Sequence, residues 1–241
     1  MRRLLAVVCE MTATLGAVML LFAVHLLWWT NHTAHAEARD EVHRLEQQWE
    51  RPGPGDATHG SPAEDSRDAA AEQDGERHAE EARGTSPAGA RPPARSQSFA
   101  VLRIPRLGLT VPVAEGVDKR RVLDRGFVGH YPGAAMPGEL GNVALAGHRN
   151  THGEPFRHLD RVRPGDVVTL STAEGDFRYE IDAVLPQTSP ADDAVIQPVP
   201  TSTTVRSAGY DGPGHYLTLT TCTPEFTSRY RMVVWGHLRE N

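Results

Sequence analysis

Apolar side chains fall into one unbroken run near the start of the chain and a series of short runs over its C-terminal part, with a stretch almost empty of them between. The first run, Met11 to Trp29, reads MTATLGAVMLLFAVHLLWW and contains no Asp, Glu, Lys or Arg. At helical rise it covers about 29 Å, close to the roughly 30 Å of a bilayer's hydrocarbon core. The pattern predicts a transmembrane anchor over 11–29. Trp28 and Trp29 suit the far interface, where indole rings prefer to lie. Arg2 and Arg3 precede the run, whereas Glu37, Asp40 and Glu41 follow it, which places residues 1–10 in the cytoplasm and the rest outside. Ala34-His35-Ala36 has the small-x-small form of a cleavage site. The run exceeds the about 7–15 residues of a signal-peptide core, however, and this favours a retained anchor.

Past the anchor the pattern changes twice. Val42, Leu45 and Trp49 recur at spacings of three and four, as on one face of a helix, and predict a juxtamembrane helical stalk over 30–49. Residues 50–96 are rich in Ala, Gly, Pro, Asp, Glu and Arg and nearly devoid of Leu, Ile, Val and Phe. Such a segment buries too little apolar surface to offset the entropy of ordering, so it reads as a disordered linker without repeats.

Residues 97–241 carry the folding information. Short runs of strand character, bounded by Gly and Pro, occur at Phe99 to Ile104, Leu109 to Ala114, Asn142 to His148 and Asp166 to Ser171. They recur at Phe177 to Pro186, Tyr216 to Cys222 and Tyr230 to Leu238. Short helical candidates lie at Asp118 to Arg125 and Pro155 to Asp160. No connection has room for the long helices of a parallel βαβ fold, so the pattern predicts an all-β domain, a closed or nearly closed barrel with short helices.

Composition narrows the function. The formal charge of −6, with Lys119 the sole lysine, gives no basic footprint for nucleic acid. Of the two cysteines, Cys9 lies beside the membrane run and Cys222 near the C-terminus, a poor arrangement for a disulfide. Cys222 ends the run Tyr216-Leu-Thr-Leu-Thr-Thr-Cys222, where a strand gives way to Thr223-Pro224. A nucleophile at a strand end is accessible yet rigidly held. The competing reading is a buried, inert cysteine. His148 ends another apolar strand, Val143-Ala-Leu-Ala-Gly-His148, although with twelve histidines in the chain that placement says little alone. His148 and His152 also raise the question of a metal. The segment between them lacks the metalloprotease glutamate and runs into Gly153 and Pro155, and neither metal nor cofactor is expected. Arg231 stands nine positions beyond Cys222 on the following strand, where a hairpin would return it to the cysteine. Its guanidinium would offer fixed donors to a developing oxyanion, and Arg229 is the rival.

Thr218-Leu-Thr-Thr-Cys222-Thr-Pro224, followed by Arg231-Met-Val-Val, resembles the TLxTC signature and downstream arginine of sortases. Ala146-Gly-His148-Arg149 resembles the histidine strand of that family. The stretch containing His130-Tyr131-Pro132-Gly133 is most similar to class E sortases of actinobacteria. Met232 stands where leucine is usual, a conservative departure. The resemblance implies an eight-stranded barrel and a cysteine transpeptidase with Cys222, His148 and Arg231 as its catalytic set. It implies cleavage of a Leu-Ala/Pro-X-Thr-Gly sorting signal between Thr and Gly, with transfer of the acyl group to a peptidoglycan or lipid-linked amine. Tyr131 and Thr221 are the candidate substrate-binding positions, and the implied partners are surface-protein precursors bearing the signal. Two alternatives stay open. A pilin-polymerising sortase would differ in its acceptor, and an inert surface-tethered binding module would differ in having an unreactive Cys222.

Overall fold

The computed structural model describes residues 2–50 and 92–239, so most of the linker expected over 50–96 lies outside the described residues. One long helix, α1 (Arg2–Glu50), is followed by eight strands. They are β1 (Ser98–Ile104), β2 (Leu109–Glu115), β3 (Val128–His130), β4 (Gly141–Ala146), β5 (Val167–Thr172), β6 (Gly175–Thr188), β7 (His215–Thr223) and β8 (Tyr230–Leu238). These close into a barrel in the order β1-β2-β3-β4-β7-β8-β6-β5, with β5 paired back onto β1. Closure leaves no unpaired sheet edge. The β2–β3 and β4–β7 pairs are parallel and the rest antiparallel. The helical candidates reduce to single 3-10 turns at Leu123–Arg125 and Leu159–Arg161.

Alternation along the strands separates an inner face from an outer one. Val143 and Leu145 of β4, Leu217 and Leu219 of β7, and Met232 and Val234 of β8 point into the main core with Leu102, Leu170 and Ile181. The intervening residues face outward and are still buried, because the connection 189–214 lies over them. Val195 of that connection packs with Leu185, Val233 and Trp235, and its carbonyl accepts from Trp235 Nε1 at 3.2 Å and Thr218 Oγ1 at 3.2 Å.

Asp192 pins this covering segment. Its Oδ2 accepts from Thr188 Oγ1 at 2.5 Å and Ser202 Oγ at 2.6 Å, and its Oδ1 from the Thr203 amide and hydroxyl at 2.9 and 2.8 Å. Burial opposes the charge, but these donors prevail and hold the carboxyl at about 2. A depressed folded-state pKa adds stability that is complete above the unfolded value near 4 and disappears as pH falls through about 2. Between those limits the wild-type protein should lose about 2 kcal/mol more than an Asp192→Asn variant, read from denaturant unfolding at pH 6, 4 and 2.5. Parallel pH profiles for the two proteins would remove Asp192 from this role.

The second half of α1 is seated on the barrel. Ala34, Ala38, Val42 and Leu45 recur at helical spacing and are all buried, and Val42 and Leu45 pack with Trp49 against Val101 on the outer face of β1. Ion pairs flank the seam, Arg103–Glu46 and Arg125–Glu37, both at 2.5 Å. Gly126 marks how close the approach is. A Cβ there would lie 2.8 Å from the Ala34 carbonyl oxygen, and φ at Gly126 is +78°. Leu45→Ala should therefore cost about 2–4 kcal/mol, seen as a lower unfolding midpoint. An unshifted midpoint would mean that the helix is not seated in solution.

Among the described residues no helix is long and apolar enough to cross a membrane. The first half of α1 nonetheless displays Leu15, Met19, Leu20, Leu21, Phe22 and Val24 to the surroundings. The side chains of Ala23, Leu26, Leu27 and Trp28, part of the run expected to form the anchor, lie outside the described residues.

Candidate active site

Three neighbouring strands and the alternation of their side chains assemble the site. On β7 the inward residues are Leu217 and Leu219, so Thr218, Thr220 and Cys222 share the outer face. On β8, Val233 and Trp235 face outward, and Arg231 shares their parity. The antiparallel register pairs Cys222 with Arg231 directly. Directly opposed residues have Cβ atoms about 4.5–5.5 Å apart, so the two side chains start from neighbouring positions.

The histidine arrives from the other side. β4 and β7 run parallel with Ala146 beside Thr220, and the Gly147 amide continues the ladder to the Thr220 carbonyl at 3.1 Å. Carrying that register two residues further sets His148 beside Cys222. The parity of the outward Asn142 side chain, which accepts from Thr218 Oγ1 at 2.8 Å, carries through to His148. Cys222 and Arg231 are thus paired across β7 and β8, and His148 follows two residues beyond the end of β4, on the strand that neighbours β7. Cys222 is a free thiol of intermediate exposure.

Each of the three has its own partners. His148 Nε2 lies 2.9 Å from Asp124 Oδ1, on the 3-10 turn before β3. Arg231 donates through Nη1 to the carbonyls of Ser228 and Tyr230, both at 3.1 Å, which fixes the plane of its guanidinium. Arg229 instead lies over the Tyr230 ring at 5.2 Å and precedes the strand, so the structure sets Arg231 and not Arg229 opposite the cysteine.

Of the two candidate substrate positions, the structure separates one from the other. The Tyr131 amide bonds to the Ala144 carbonyl at 2.9 Å, which extends the β3–β4 ladder and puts its ring on the outer face, with the phenol 3.2 Å from Thr220 Oγ1. Tyr131 accordingly shares the outer face with Cys222, two residues along β7 from its Thr220 contact. Thr221 does not. It is only 3% exposed and donates to the Gly147 carbonyl at 2.8 Å, so its hydroxyl ties β7 to the histidine strand in place of facing a substrate.

Sequence reasoning missed two contributors. Arg149 is buried, and its Nη1 donates to Thr223 Oγ1 at 3.1 Å and approaches the Cys222 carbonyl at 3.5 Å, while Nη2 lies 3.4 Å from Asp160. It thereby clamps the backbone on either side of the thiol's strand end. Its position next to His148 was the available signal, but an arginine in a polar loop reads as solvated. Asp124 was equally hidden, since a carboxylate 24 positions upstream of the histidine carries no local pattern. The two rim loops are also joined, by the Phe226 amide to Asn150 Oδ1 at 2.8 Å and by Arg157 to Glu225 at 3.2 Å.

Comparison with known proteins agrees with this geometry. The sortase domain family matches residues 102–239. Sortase SrtE1 of Streptomyces coelicolor is 42% identical over 236 residues, covering 96% of this chain and 56% of the relative. Sortase SrtE2 of the same organism is 32% identical, covering 97% of this chain and 81% of the relative. The chain therefore spans little more than half the length of the first of these. Among solved structures, sortase E1 from S. coelicolor with a tripeptide in its active site superposes with a TM-score of 0.57 at 51% identity, over 61% of this chain and 91% of that one. Sortase E from Streptomyces avermitilis gives 0.53 at 42% identity over the same shares.

Proposed function

Because this chain belongs to the sortase family, we propose that it is a cysteine transpeptidase of the class E kind, acting at the cell surface on a Leu-Ala/Pro-X-Thr-Gly sorting signal. The observation that carries the reading is the direct pairing of Cys222 with Arg231 across β7 and β8, with His148 just past the end of the neighbouring β4.

The steps follow from that arrangement. The Cys222 thiolate attacks the carbonyl carbon of the signal's threonine, and the negative charge that develops on its oxygen falls toward Arg231. Nη1 of Arg231 is engaged by the Ser228 and Tyr230 carbonyls, which leaves Nε and Nη2 to receive the oxyanion. Collapse expels the glycine amine, which takes a proton from the His148 imidazolium as a thioester forms on Cys222. An incoming amine, from peptidoglycan or a lipid-linked precursor, attacks the thioester, gives its proton to His148 and expels the Cys222 thiolate, which restores the starting pair. Asp124 against Nε2 orients the ring through these exchanges. Tyr131, whose phenol meets Thr220 two residues before Cys222, is our candidate for sensing the residue after the signal's leucine.

The rest of the chain divides into residues 1–10 on the cytoplasmic side, an anchor at 11–29, a helical stalk at 30–49, a linker at 50–96 and the catalytic domain at 97–241. Support for the anchor comes from its apolar side chains. An isolated helix that is apolar on all sides has no stable place in water and an ordinary one in lipid. Incubating the protein with a Leu-Ala-X-Thr-Gly peptide and an amine acceptor should give a Cys222-linked acyl adduct by mass spectrometry and a new amide product. An unmodified Cys222 with intact peptide would favour the inert binding module.

A further inference from the structure

Beside the catalytic residues lies a cluster that the transpeptidation steps do not require in full. Asp124, His148 and His152 converge, and one ligand atom from each lies within 4.8 Å of the other two. Asp124 Oδ1 is 2.9 Å from His148 Nε2 and 3.6 Å from His152 Nδ1, and the two imidazole rings stand 5.6 Å apart. Ligands at about 2.0–2.1 Å around a tetrahedral ion are separated by roughly 3.3 Å, so small side-chain shifts bring these atoms onto one centre.

His152 is the informative member. Its Nδ1 is buried and has no hydrogen-bond partner, although a buried polar atom left unpaired is costly. Its backbone also lies in the left-handed region, at φ +54°, followed by Gly153 at +79° and Glu154 at +45°. A histidine and a glutamate held there are strained, and such strain persists only where surrounding structure enforces it. The enforcement is visible. Asn31 of α1 donates to Glu154 Oε1 at 2.7 Å and accepts from the Gly153 amide at 3.3 Å, and the Phe156 amide bonds back to the His148 carbonyl at 3.0 Å. The loop is thus braced in the shape that turns His152 toward Asp124.

We propose that Asp124, His148 and His152 form a reversible site for a divalent transition metal of the zinc type, and that occupancy silences the active site by engaging His148. Two imidazoles and one carboxylate suit zinc and its neighbours, whereas calcium and magnesium call for more oxygen ligands. The three side chains are each partly exposed, so water can complete the shell. A metal on Nε2 fixes the imidazole so that it can neither become the imidazolium that protonates the leaving amine nor accept the proton of the incoming one. The inhibitory consequence rests on the transpeptidase reading above, whereas the binding itself does not.

The test separates the two. Zinc affinity of the full-length protein in detergent is measured by competition with a chromogenic chelator, in a Cys9→Ser, Cys222→Ala background that removes both thiols as adventitious ligands. One zinc ion should bind per chain, with magnesium and calcium inactive at the same concentration. His152→Ala and Asp124→Asn should each weaken binding by at least about 10–100-fold, the loss that even outer-sphere partners cause. His237→Ala, which removes an exposed histidine 2.8 Å from Asp182, should leave it unchanged. In the protein with both thiols, zinc should inhibit peptide cleavage, and His152→Ala should raise the inhibitory concentration by the same factor relative to its own metal-free rate. Binding that survives both His152→Ala and Asp124→Asn, or no stoichiometric binding at all, overturns the proposal whatever the peptide assay shows. Stoichiometric binding without inhibition of an active enzyme would overturn the silencing role.

Discussion

Cys222→Ala should abolish both cleavage of a sorting peptide and its transfer to an amine, a loss of about 10⁴-fold or more. The barrel offers no substitute, since the other cysteine, Cys9, sits in the first half of α1. His148→Ala should fall nearly as far. Its neighbour His152 shares Asp124 but lies in the braced loop and not on the strand register that sets His148 beside Cys222. Both variants should fold, because each side chain lies on the outer face and neither contributes to the main core. Thermal unfolding at the wild-type midpoint, with no acyl adduct by mass spectrometry and no amide product by chromatography, is the expected result. Full transfer activity in Cys222→Ala would remove the covalent mechanism, and in His148→Ala it would place the proton carrier elsewhere.

The barrel was legible wherever a strand buried one face against the core. Leu217 and Leu219, Val143 and Leu145, and Met232 and Val234 announce their strands by alternation alone. β3 was not legible. It has three residues, all buried, and pairs in parallel with β2, so neither length nor alternation marks it. The seating of α1 was half visible. Val42, Leu45 and Trp49 spell out a helical face, but the same face extends through Ala34 and Ala38, and alanine carries too little apolar signal to declare an interface. That close approach depends as much on Gly126 and Gly153, distant in sequence, as on the helix itself.

The site divides along a similar line. Cys222 and Arg231 lie one residue inside a strand end and His148 two residues past one, because β4 stops at Ala146, yet the neighbourhood of a strand end is written in the local pattern of all three. What surrounds them depends on contacts made across the fold. Asp124 reaches His148 from a 3-10 turn, Arg149 turns back under the Cys222 strand, and Asn31 braces the loop between. Thr221 shows how parity refines a motif. The motif puts it next to the nucleophile, and strand parity turns its hydroxyl toward the Gly147 carbonyl.

Arg231→Ala should lower turnover about 10²–10³-fold, the usual cost of removing one oxyanion donor, while leaving the acyl adduct detectable at long times. Under the proposed mechanism Arg231, paired directly with Cys222, meets the developing oxyanion, and its anchoring to the Ser228 and Tyr230 carbonyls limits how far it must reorganise as charge develops. Arg231→Lys should recover little. An ammonium on a flexible stem cannot hold those two carbonyls and still present planar donors to the substrate. Arg229→Ala is the control. Its guanidinium lies over Tyr230 ahead of the strand, so its removal should cost only a surface contact. Single-turnover rates for the three variants on one peptide decide the matter. An inactive Arg229→Ala beside an active Arg231→Ala would mean that β8 slides by two residues against β7 in solution, which preserves the inward face while exchanging the two arginines opposite Cys222.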